Sequence, residues 1–404
     1  MIARKQSEPG CFRTRLVELC LTAVLSTGII LFGATSAWAA MYLAAGIFLL
    51  FCVYPHFPPN FLRFSAPFFL YLLAQTAFFS LNRFNSCGEV IKMLSLSCFF
   101  CLLLNTSDSF LLKLSLITVL IGLFEVFYGF AEVFTGHEHV LWIVKKNHLG
   151  YLTGTYFNRN HLAGFLELCI GLAAGGFMNQ LSLRKKSSAV FWGLFFFVLT
   201  TGLFFTGSRM GVLSFAMAVI VIIYICFFKP YKASVFSPWL FLFALGILAV
   251  MWGIHPWLSR WDELPLLNAD EQRLSVWKDT LRILHDYPLS GIGLGSFEWV
   301  FPKYQSPELV MAWQHAHNGY LELITEIGIP GFILFSVTAF LFSKSYFSGH
   351  VLPNEKFWYE KGVMIGVAAF LFHGLTDFNF SVTANMFTFT FLLALLFKFR
   401  KGLA

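Results

Sequence analysis

The sequence predicts an all-α polytopic membrane protein with about twelve transmembrane helices and one large extracytoplasmic loop that contains short helices. Hydrophobic residues make up 57% of the 404 residues and charged residues only 12%, which is about half the charge of a soluble globular domain. The 51 Phe outnumber the 28 Lys and Arg and the 21 Asp and Glu taken together. Apolar runs of about 20 residues, the length that crosses the hydrocarbon of a bilayer, recur along the chain.

Twelve stretches qualify as membrane spans, although a few are short. They lie near residues 17–35, 37–54, 64–81, 88–105, 110–134, 160–179, 189–206, 211–228, 236–254, 320–343, 359–376 and 382–397. The first follows four basic residues and ends at Ala37-Trp38-Ala39, which resembles a secretory signal with its cleavage site. Its long apolar core favours an uncleaved anchor, and cleavage would leave the rest of the topology unchanged.

Basic residues between the spans predict the orientation of the chain. With the N-terminus in the cytoplasm, 17 of the 28 basic residues fall on the cytoplasmic side, including the clusters LRKK, KPYK and KFRK, as the positive-inside rule requires. The predicted order is a cytoplasmic segment 1–16, helices one to nine over 17–254, a large outer loop over 255–319, helices ten to twelve over 320–397 and a cytoplasmic segment 398–404.

The large outer loop is mildly acidic, with five basic and eight acidic residues. The net charge of +7 therefore reports topology, and no nucleic-acid partner is expected. An anion site on the outer face would have to be built from individual arginines. The pair Cys98-x2-Cys101 has zinc-like spacing but lies inside an apolar run without a second pair, so neither a metal nor a cofactor is expected.

Five polar clusters from separate parts of the chain fall on the outer face in this topology. Ionisable groups at a membrane face are costly to keep and therefore indicate a functional site. The clusters are TGTYFNRNHLAG (153–164), TGSRMG (206–211), RLSVWKDTLRILHDYPLSGIGLGSF (273–297), QHAHNGYLELITEIGIPG (314–331) and HGLTDFNF (373–380).

The fourth cluster contains His317-Asn318, then nine residues, Gly328, two residues and Gly331. With this pattern, the chain resembles the O-antigen ligase superfamily, which includes lipid A core:O-antigen ligases, O-antigen polymerases and protein O-oligosaccharyltransferases. The resemblance covers roughly residues 110–400. Three further motifs occur in the family's order: Ser208-Arg209-x-Gly211, Arg273-x3-Trp277 and Pro288-x2-Gly291-x-Gly293-x-Gly295.

The resemblance implies a glycosyltransferase that needs neither metal nor nucleotide and works at the periplasmic face of the bacterial inner membrane. The implied donor is a glycan on undecaprenyl diphosphate, and the implied acceptor is a hydroxyl, most often of a lipid A core sugar. A polymerase acting on a second lipid-linked glycan and a protein O-oligosaccharyltransferase are the alternatives, since they share donor and catalytic groups. A polysaccharide transporter is a remote alternative, because transporters favour paired charges near mid-bilayer.

Such a transfer needs a base near the acceptor hydroxyl and cations near the diphosphate. His317 is the predicted base, because imidazole can take up a proton at ambient pH. Arg209 and Arg273 are the predicted clamps, since guanidinium binds phosphate with two parallel hydrogen bonds. The alternatives are a snorkelling helix-end cation for Arg209, an ordinary loop ion pair for Arg273 and a helix-capping segment for His317-Asn318.

The remaining candidates are assigned to substrate binding: His315, Asn318, Arg159, Asn160, His161, Ser208, His373 and Asp377. His315 could substitute for His317 as the base. Arg159, Asn160 and His161 begin a predicted helix and could equally be a cap and interface anchor. His373, Asp377 and Asn379 could orient the acceptor or His317, or simply end a helix. The Gly-x-Gly-x-Gly segment is not a dinucleotide fingerprint but a tight turn, and the Trp and Phe are expected mainly in interfacial belts.

Overall fold

The computed structural model describes residues 9–227, 266–309, 311–349 and 356–400, which are mostly helical. The first eight helices are α1 (Pro9–Ile30), α2 (Ala37–Val53), α3 (Phe61–Phe78), α4 (Arg83–Asn105), α5 (Asp108–Thr135), α6 (Arg159–Ser182), α7 (Lys186–Phe205) and α8 (Arg209–Phe227). The other five are α9 (Leu266–Asp286), α10 (Phe297–Val300), α11 (Gly319–Ser348), α12 (Phe357–His373) and α13 (Thr383–Arg400). A two-residue hairpin, β1 (His139–Val140) and β2 (Ile143–Val144), lies between α5 and α6.

The predicted spans coincide with helices wherever the structure describes them. Eleven of the twelve ranges overlap one α-helix each, and the range 236–254 lies outside the described residues. Among the described helices, α3, α4, α5, α6, α7 and α11 are long and apolar enough to cross a membrane by length and composition. The chain is therefore a mostly helical, polytopic membrane protein.

Helix α6 lies at the centre of the bundle, and the 18-residue apolar stretch within it is entirely buried. Its neighbour α12 approaches it at backbone contact: a Cβ added to Gly362 would lie 2.1 Å from the amide nitrogen of Gly175, and one added to Gly171 would lie 2.6 Å from Cα of Gly366. Small residues at such an interface allow helices in a membrane to pack by close van der Waals contact. These glycines bring the polar beginning of α6 level with the polar end of α12.

Many phenylalanines lie in the core of the bundle, while others, such as Phe84 and Phe134, are exposed on its surface. Phe99, Phe165, Phe370, Phe387 and Phe391 are all fully buried. Their rings interlock, as in the tilted pair of Phe99 and Phe387, whose centroids lie 5.2 Å apart. Aromatic burial on this scale stabilises the contact between helices through dispersion, because lipid already solvates the apolar surface of each helix.

The described part of the large loop contains a longer helix than predicted. Helix α9 has 21 residues, while α10 and the 3-10 turn Phe301–Lys303 are short. Val276 and Ile283 of α9 are fully buried and pack with Phe297 and Phe301 in a small separate core. Their seven-residue separation corresponds to one face of an amphipathic helix, which explains why α9 forms beside the bundle without being a span.

The glycine-rich turn after α9 packs against a break in α11. Gly328 has φ +69° and ψ 171°, so the break predicted at Gly-Ile-Pro-Gly is present. Gly293 donates to the carbonyl of Glu326 at 2.9 Å, and a Cβ on Gly291 would lie 2.2 Å from that same oxygen. The positive φ of Gly291 and Gly293 therefore serves a contact between two backbones, within the tight turn that the sequence predicted.

Candidate active site

The segment before α11 carries the two candidate histidines and is held from both sides. Trp277 of α9 donates its indole N–H to the carbonyl oxygen of Ala316 at 2.9 Å. The carboxylate of Glu322, in the first turn of α11, accepts from the amide of Ala316 at 2.7 Å and lies 2.7 Å from Nδ1 of His315. Trp277 is therefore an anchor for this segment, and the motif Arg273-x3-Trp277 places Arg273 one helical turn away on the same face.

His317 adopts a strained backbone conformation, with φ +51°, which is uncommon for a residue with a Cβ. Its Nδ1 lies 3.9 Å from Oδ1 of Asp377, and its ring meets Phe378 and Trp313 edge to face at 4.7 and 5.2 Å. Burial lowers the pKa of His317 to about 4, with Asp377 opposing and Arg273 adding to the shift. The imidazole is therefore neutral at ambient pH and able to accept a proton.

His315 is in a different electrostatic state from His317. Burial lowers its pKa, but the adjacent Glu322 carboxylate outweighs burial and holds the pKa of His315 above its usual value. A histidine that favours the protonated form beside its own carboxylate is a poor base. Chemistry alone did not rank His315 and His317 as candidate bases. Their contacts with carboxylates favour His317.

Phe378 joins three of the polar clusters. Its ring stacks on His315 with centroids 4.2 Å apart and contacts the rings of His161 and His317 edge to face at 4.8 and 4.7 Å. These histidines come from the start of α6 and from the segment before α11, while Phe378 follows α12. Phe378 was absent from the predicted site residues, and its position within the cluster HGLTDFNF was the available signal.

Arg273 lies close enough to this group to affect its charges. Burial raises the pKa of the Asp377 carboxyl, yet His317, His373, His161 and Arg273 together hold it below its usual range. Asp377 is therefore an anion, and its Oδ1 also accepts the amide proton of Phe378 at 2.7 Å. Arg273 itself is half-buried, so its side chain is partly accessible from outside the protein.

Ser208 and Gly211 place Arg209 at the same end of the bundle. The buried hydroxyl of Ser208 accepts the amide proton of Gly211 at 3.2 Å, so Ser208 caps α8, which begins at Arg209. A Cβ on Gly211 would lie 3.0 Å from Cβ of Ala163. Because Ala163 stands two residues after His161 in α6, this contact holds the start of α8 beside the start of α6.

The first residues of α6 are mostly engaged within the protein. Asn158 caps the helix by accepting from the amide of Asn160 at 2.9 Å, and the carbonyl of Asn160 accepts from Asn379 at 3.5 Å. The Arg159 guanidinium lies 4.3 Å from the centroid of the Tyr151 ring. Asn318 likewise caps α11, accepting from the amides of Tyr320 and Leu321 at 3.2 and 3.0 Å.

His373 and a glutamate that the sequence analysis missed form a buried pair behind the site. Nδ1 of His373 lies 2.9 Å from Oε1 of Glu167 in α6, and both side chains are 0% exposed. Nε2 of His373 lies 4.0 Å from Oδ2 of Asp377. Both nitrogens of the His373 imidazole therefore face carboxylates inside the protein. Glu167 could have been found as the single acidic residue within the apolar run 160–179.

A cavity of about 190 Å³ opens on the side of α11 that faces α4 and α13. Its walls are mostly apolar, with three carboxylates (Glu89, Glu322 and Glu326) and one ammonium group (Lys92). The ammonium group of Lys92 is paired with Glu89, so the described lining of the cavity offers no unpaired cation to a diphosphate. Within the described ranges, no three His, Cys, Asp or Glu side chains are arranged to hold a metal ion.

The comparison with known protein families agrees with this geometry. Residues 194–336 match the family model described as O-antigen ligase, a range that contains Ser208, Arg209, Arg273, His315 and His317. No curated protein matches the chain. The match shows that residues 194–336 of this polytopic membrane protein are similar to the O-antigen ligase family.

Proposed function

We propose that the protein transfers a glycan from undecaprenyl diphosphate to an acceptor hydroxyl at the outer face of the inner membrane, with a lipid A core sugar as the acceptor. The observation that carries the proposal is the position of the His317 imidazole, whose Nδ1 lies 3.9 Å from the Asp377 carboxylate, with Arg273 close enough to affect the pKa of His317. This set lies at the end of the bundle where α6, α8 and α11 begin and α12 ends. The O-antigen ligase domain supports glycan transfer as the reaction.

His317 acts as the base in this proposal. Since Nδ1 faces Asp377 at 3.9 Å, the carboxylate favours the tautomer with the proton on Nδ1 and leaves the Nε2 lone pair free. The acceptor hydroxyl gives its proton to Nε2, and its oxygen bonds to the anomeric carbon of the glycan. The bond between that carbon and the diphosphate oxygen breaks, and undecaprenyl diphosphate leaves with the electron pair.

Arg273 and Arg209 stabilise the leaving diphosphate. Negative charge grows on the bridging oxygen as the glycosidic bond breaks, so cations that meet it there lower the barrier more than they tighten ground-state binding. In the cavity beside α11 the ammonium group of Lys92 is already paired with Glu89, and we therefore place the donor headgroup on the arginine side of His317. The basic clusters between the predicted spans support an outward orientation of this end of the bundle.

Transfer by the purified protein in detergent tests the proposal. The assay supplies undecaprenyl-diphosphate glycan and, in parallel, lipid A core, a second lipid-linked glycan and a pilin-like protein. We expect transfer to lipid A core without added nucleotide and in the presence of a chelator. His317→Ala should reduce the rate by roughly 10²- to 10⁴-fold. His285→Ala is the matched control, because the His285 side chain in α9 is 88% exposed and has no place in the mechanism.

The parallel acceptors separate the members of the superfamily. Transfer to the second glycan alone would identify a polymerase, and transfer to the protein alone an O-oligosaccharyltransferase. Unchanged transfer by His317→Ala, or a strict requirement for a divalent metal, would contradict the proposed chemistry. Movement of lipid-linked sugar without any transfer would indicate a transporter.

A further inference from the structure

The buried pair of Glu167 and His373 needs an explanation that the transfer chemistry alone does not supply. Both side chains are 0% exposed, and Glu167 lies within the most completely buried helix of the candidate spans. Burying a carboxylate in apolar surroundings is costly even when it is paired. An apolar residue at position 167 would pack there at lower cost, so the pair is expected to serve more than packing.

Holding α6 against α12 does not require this ion pair. The two helices already meet at backbone contact through Gly171 and Gly366 and through Gly175 and Gly362. These glycine contacts lie further from the site than Glu167 and His373 do. Cohesion of the helix pair therefore rests on small residues, and the charges at its end have a separate role.

The four ionisable groups at this end alternate between carboxylate and imidazole. Oε1 of Glu167 lies 2.9 Å from Nδ1 of His373, whose Nε2 lies 4.0 Å from Oδ2 of Asp377. The other oxygen of Asp377, Oδ1, lies 3.9 Å from Nδ1 of His317. His373 and Asp377 thus each face one neighbour with one polar atom and the other neighbour with the second polar atom. The four side chains form a row from Glu167 in α6 to His317, the proposed base.

We infer that Glu167 and His373 are positioning residues that act through Asp377, keeping its carboxylate ionised and turned toward His317. This inference rests on the proposed role of His317. An imidazole with a proton on each nitrogen can face a carboxylate on both sides, so Glu167 keeps His373 in the form that attracts Asp377. Asp377 then presents its second oxygen to His317, which keeps the lone pair of Nε2 directed toward the acceptor.

A double-mutant cycle on glycan transfer tests the inference. The variants are Glu167→Gln, which has nearly the same shape without the charge, Asp377→Asn and the double variant. Glu167→Gln should lower kcat by about tenfold or more and leave KM for the donor unchanged, because Glu167 touches no substrate. In the Asp377→Asn background, the same substitution should have almost no further effect, because residues that act through one partner are not additive.

Glu360→Gln is the matched control for removing a buried carboxylate. Glu360 lies near the opposite end of α12, is 3% exposed and accepts from the Nε of Arg400 at 2.5 Å. This variant should lose thermal stability but keep its kcat. A second control is Glu167→Asp, which retains the charge and should recover part of the rate lost in Glu167→Gln.

Two results would overturn the inference. One is an equal fold-loss from Glu167→Gln with and without Asp377, and the other is a kcat in Glu167→Gln no lower than that of Glu360→Gln. His373→Asn is run through the same cycle, so that misfolding of one variant does not decide the outcome. If the wild type transfers glycan and depends on His317 while these variants behave additively, the inference fails and the proposed function stands. If His317→Ala keeps the wild-type rate, the proposed function fails.

Discussion

At the scale of single residues, the site depends on two histidines, two positions apart, that are given different protonation states. His315 lies 2.7 Å from the carboxylate of Glu322, whereas His317 faces Asp377 at 3.9 Å and is further affected by Arg273. A short contact with a carboxylate stabilises the imidazolium, while burial with a more distant one leaves the imidazole neutral. In the proposed mechanism, the same side chain thus serves as a structural cation at one position and as a base at the other.

The pH dependence of transfer should reflect this difference. Because burial lowers the pKa of His317 to about 4, kcat/KM should fall only as the pH approaches that value, where the base takes up a proton. The Asp377 carboxylate raises the pKa of His317, so Asp377→Asn should move this acidic limb to lower pH. The plateau rate should fall by about 10²-fold or more, because the asparagine no longer favours the His317 tautomer that carries its proton on Nδ1. Measurement of kcat/KM across pH for both proteins checks the prediction.

Asp286→Asn provides the control for the pH profile, because Asp286 is an exposed carboxylate at the end of α9 whose side chain is 51% exposed. Its profile should match that of the wild type. An acidic limb near the ordinary pKa of histidine, about 6.5, would contradict the burial of the base.

Arg273→Lys should slow transfer although it retains the positive charge. A lysine ammonium cannot make the two parallel hydrogen bonds that guanidinium makes to a diphosphate, so we expect a loss of at least about tenfold in kcat/KM. Arg282→Lys on the same helix is the control, since Arg282 is 56% exposed and pairs with Asp279. Full activity of Arg273→Lys would assign Arg273 to structure.

At the scale of elements, the broken helix α11 is what positions the base. The turn of Gly291, Gly293 and Gly295 docks on the carbonyls exposed at the break, and Trp277 of α9 holds the segment before the helix. Tyr71 and Gln75 of α3 donate to the carbonyls of Ile327 and Glu326 at 2.6 Å each. The carbonyls left unpaired by the break are thus satisfied by other elements, which makes the break a stable feature.

Gly328→Ala should destabilise the protein more than an alanine at an unconstrained glycine. A Cβ at Gly328 would lie 2.7 Å from the carbonyl oxygen of Leu289, and φ is +69°. Gly136 has φ +65° and ψ 23° with no atom within 4 Å of such a Cβ, so Gly136→Ala measures the strain of the ordinary left-handed conformation, about 1 kcal/mol. The glycine-only backbone conformation of Gly328, with ψ 171°, and the collision should together add about 2 kcal/mol. Thermal unfolding in detergent compares them, and equal shifts in Tm would refute the collision.

At the scale of the whole molecule, the glycine contacts of α6 with α12 and α8 gather polar residues from distant parts of the chain at one end of the bundle. The predicted topology puts this end outside the cytoplasm. In a variant whose eight native cysteines are replaced, Trp299→Cys should react with an impermeant maleimide from the periplasm, and Lys185→Cys only after the membrane is opened. Trp299 is 62% exposed, so access does not limit its labelling. The reverse pattern would contradict the proposed orientation.

Much of this architecture could be predicted because its causes are local. Apolar runs specify helices wherever they are long enough, and basic clusters specify orientation through the residues beside each span. The break at Gly328 was predictable from glycine and proline in adjacent positions. The length of α9 was not predicted, because its amphipathic pattern is stabilised by a small core that includes Phe297 and Phe301 from outside the helix.

Composition and spacing along the chain were enough to predict a helical, polytopic membrane protein, its resemblance to the O-antigen ligase family and the chemical types of the candidate site residues, because none of these depends on contacts between distant segments. Folding alone sets which carboxylate faces each histidine and places Glu167 behind His373. Those properties depend on burial and on distances between α6, α11 and α12, helices that are separated by many residues in sequence and joined by glycine-to-glycine contacts and the ring of Phe378.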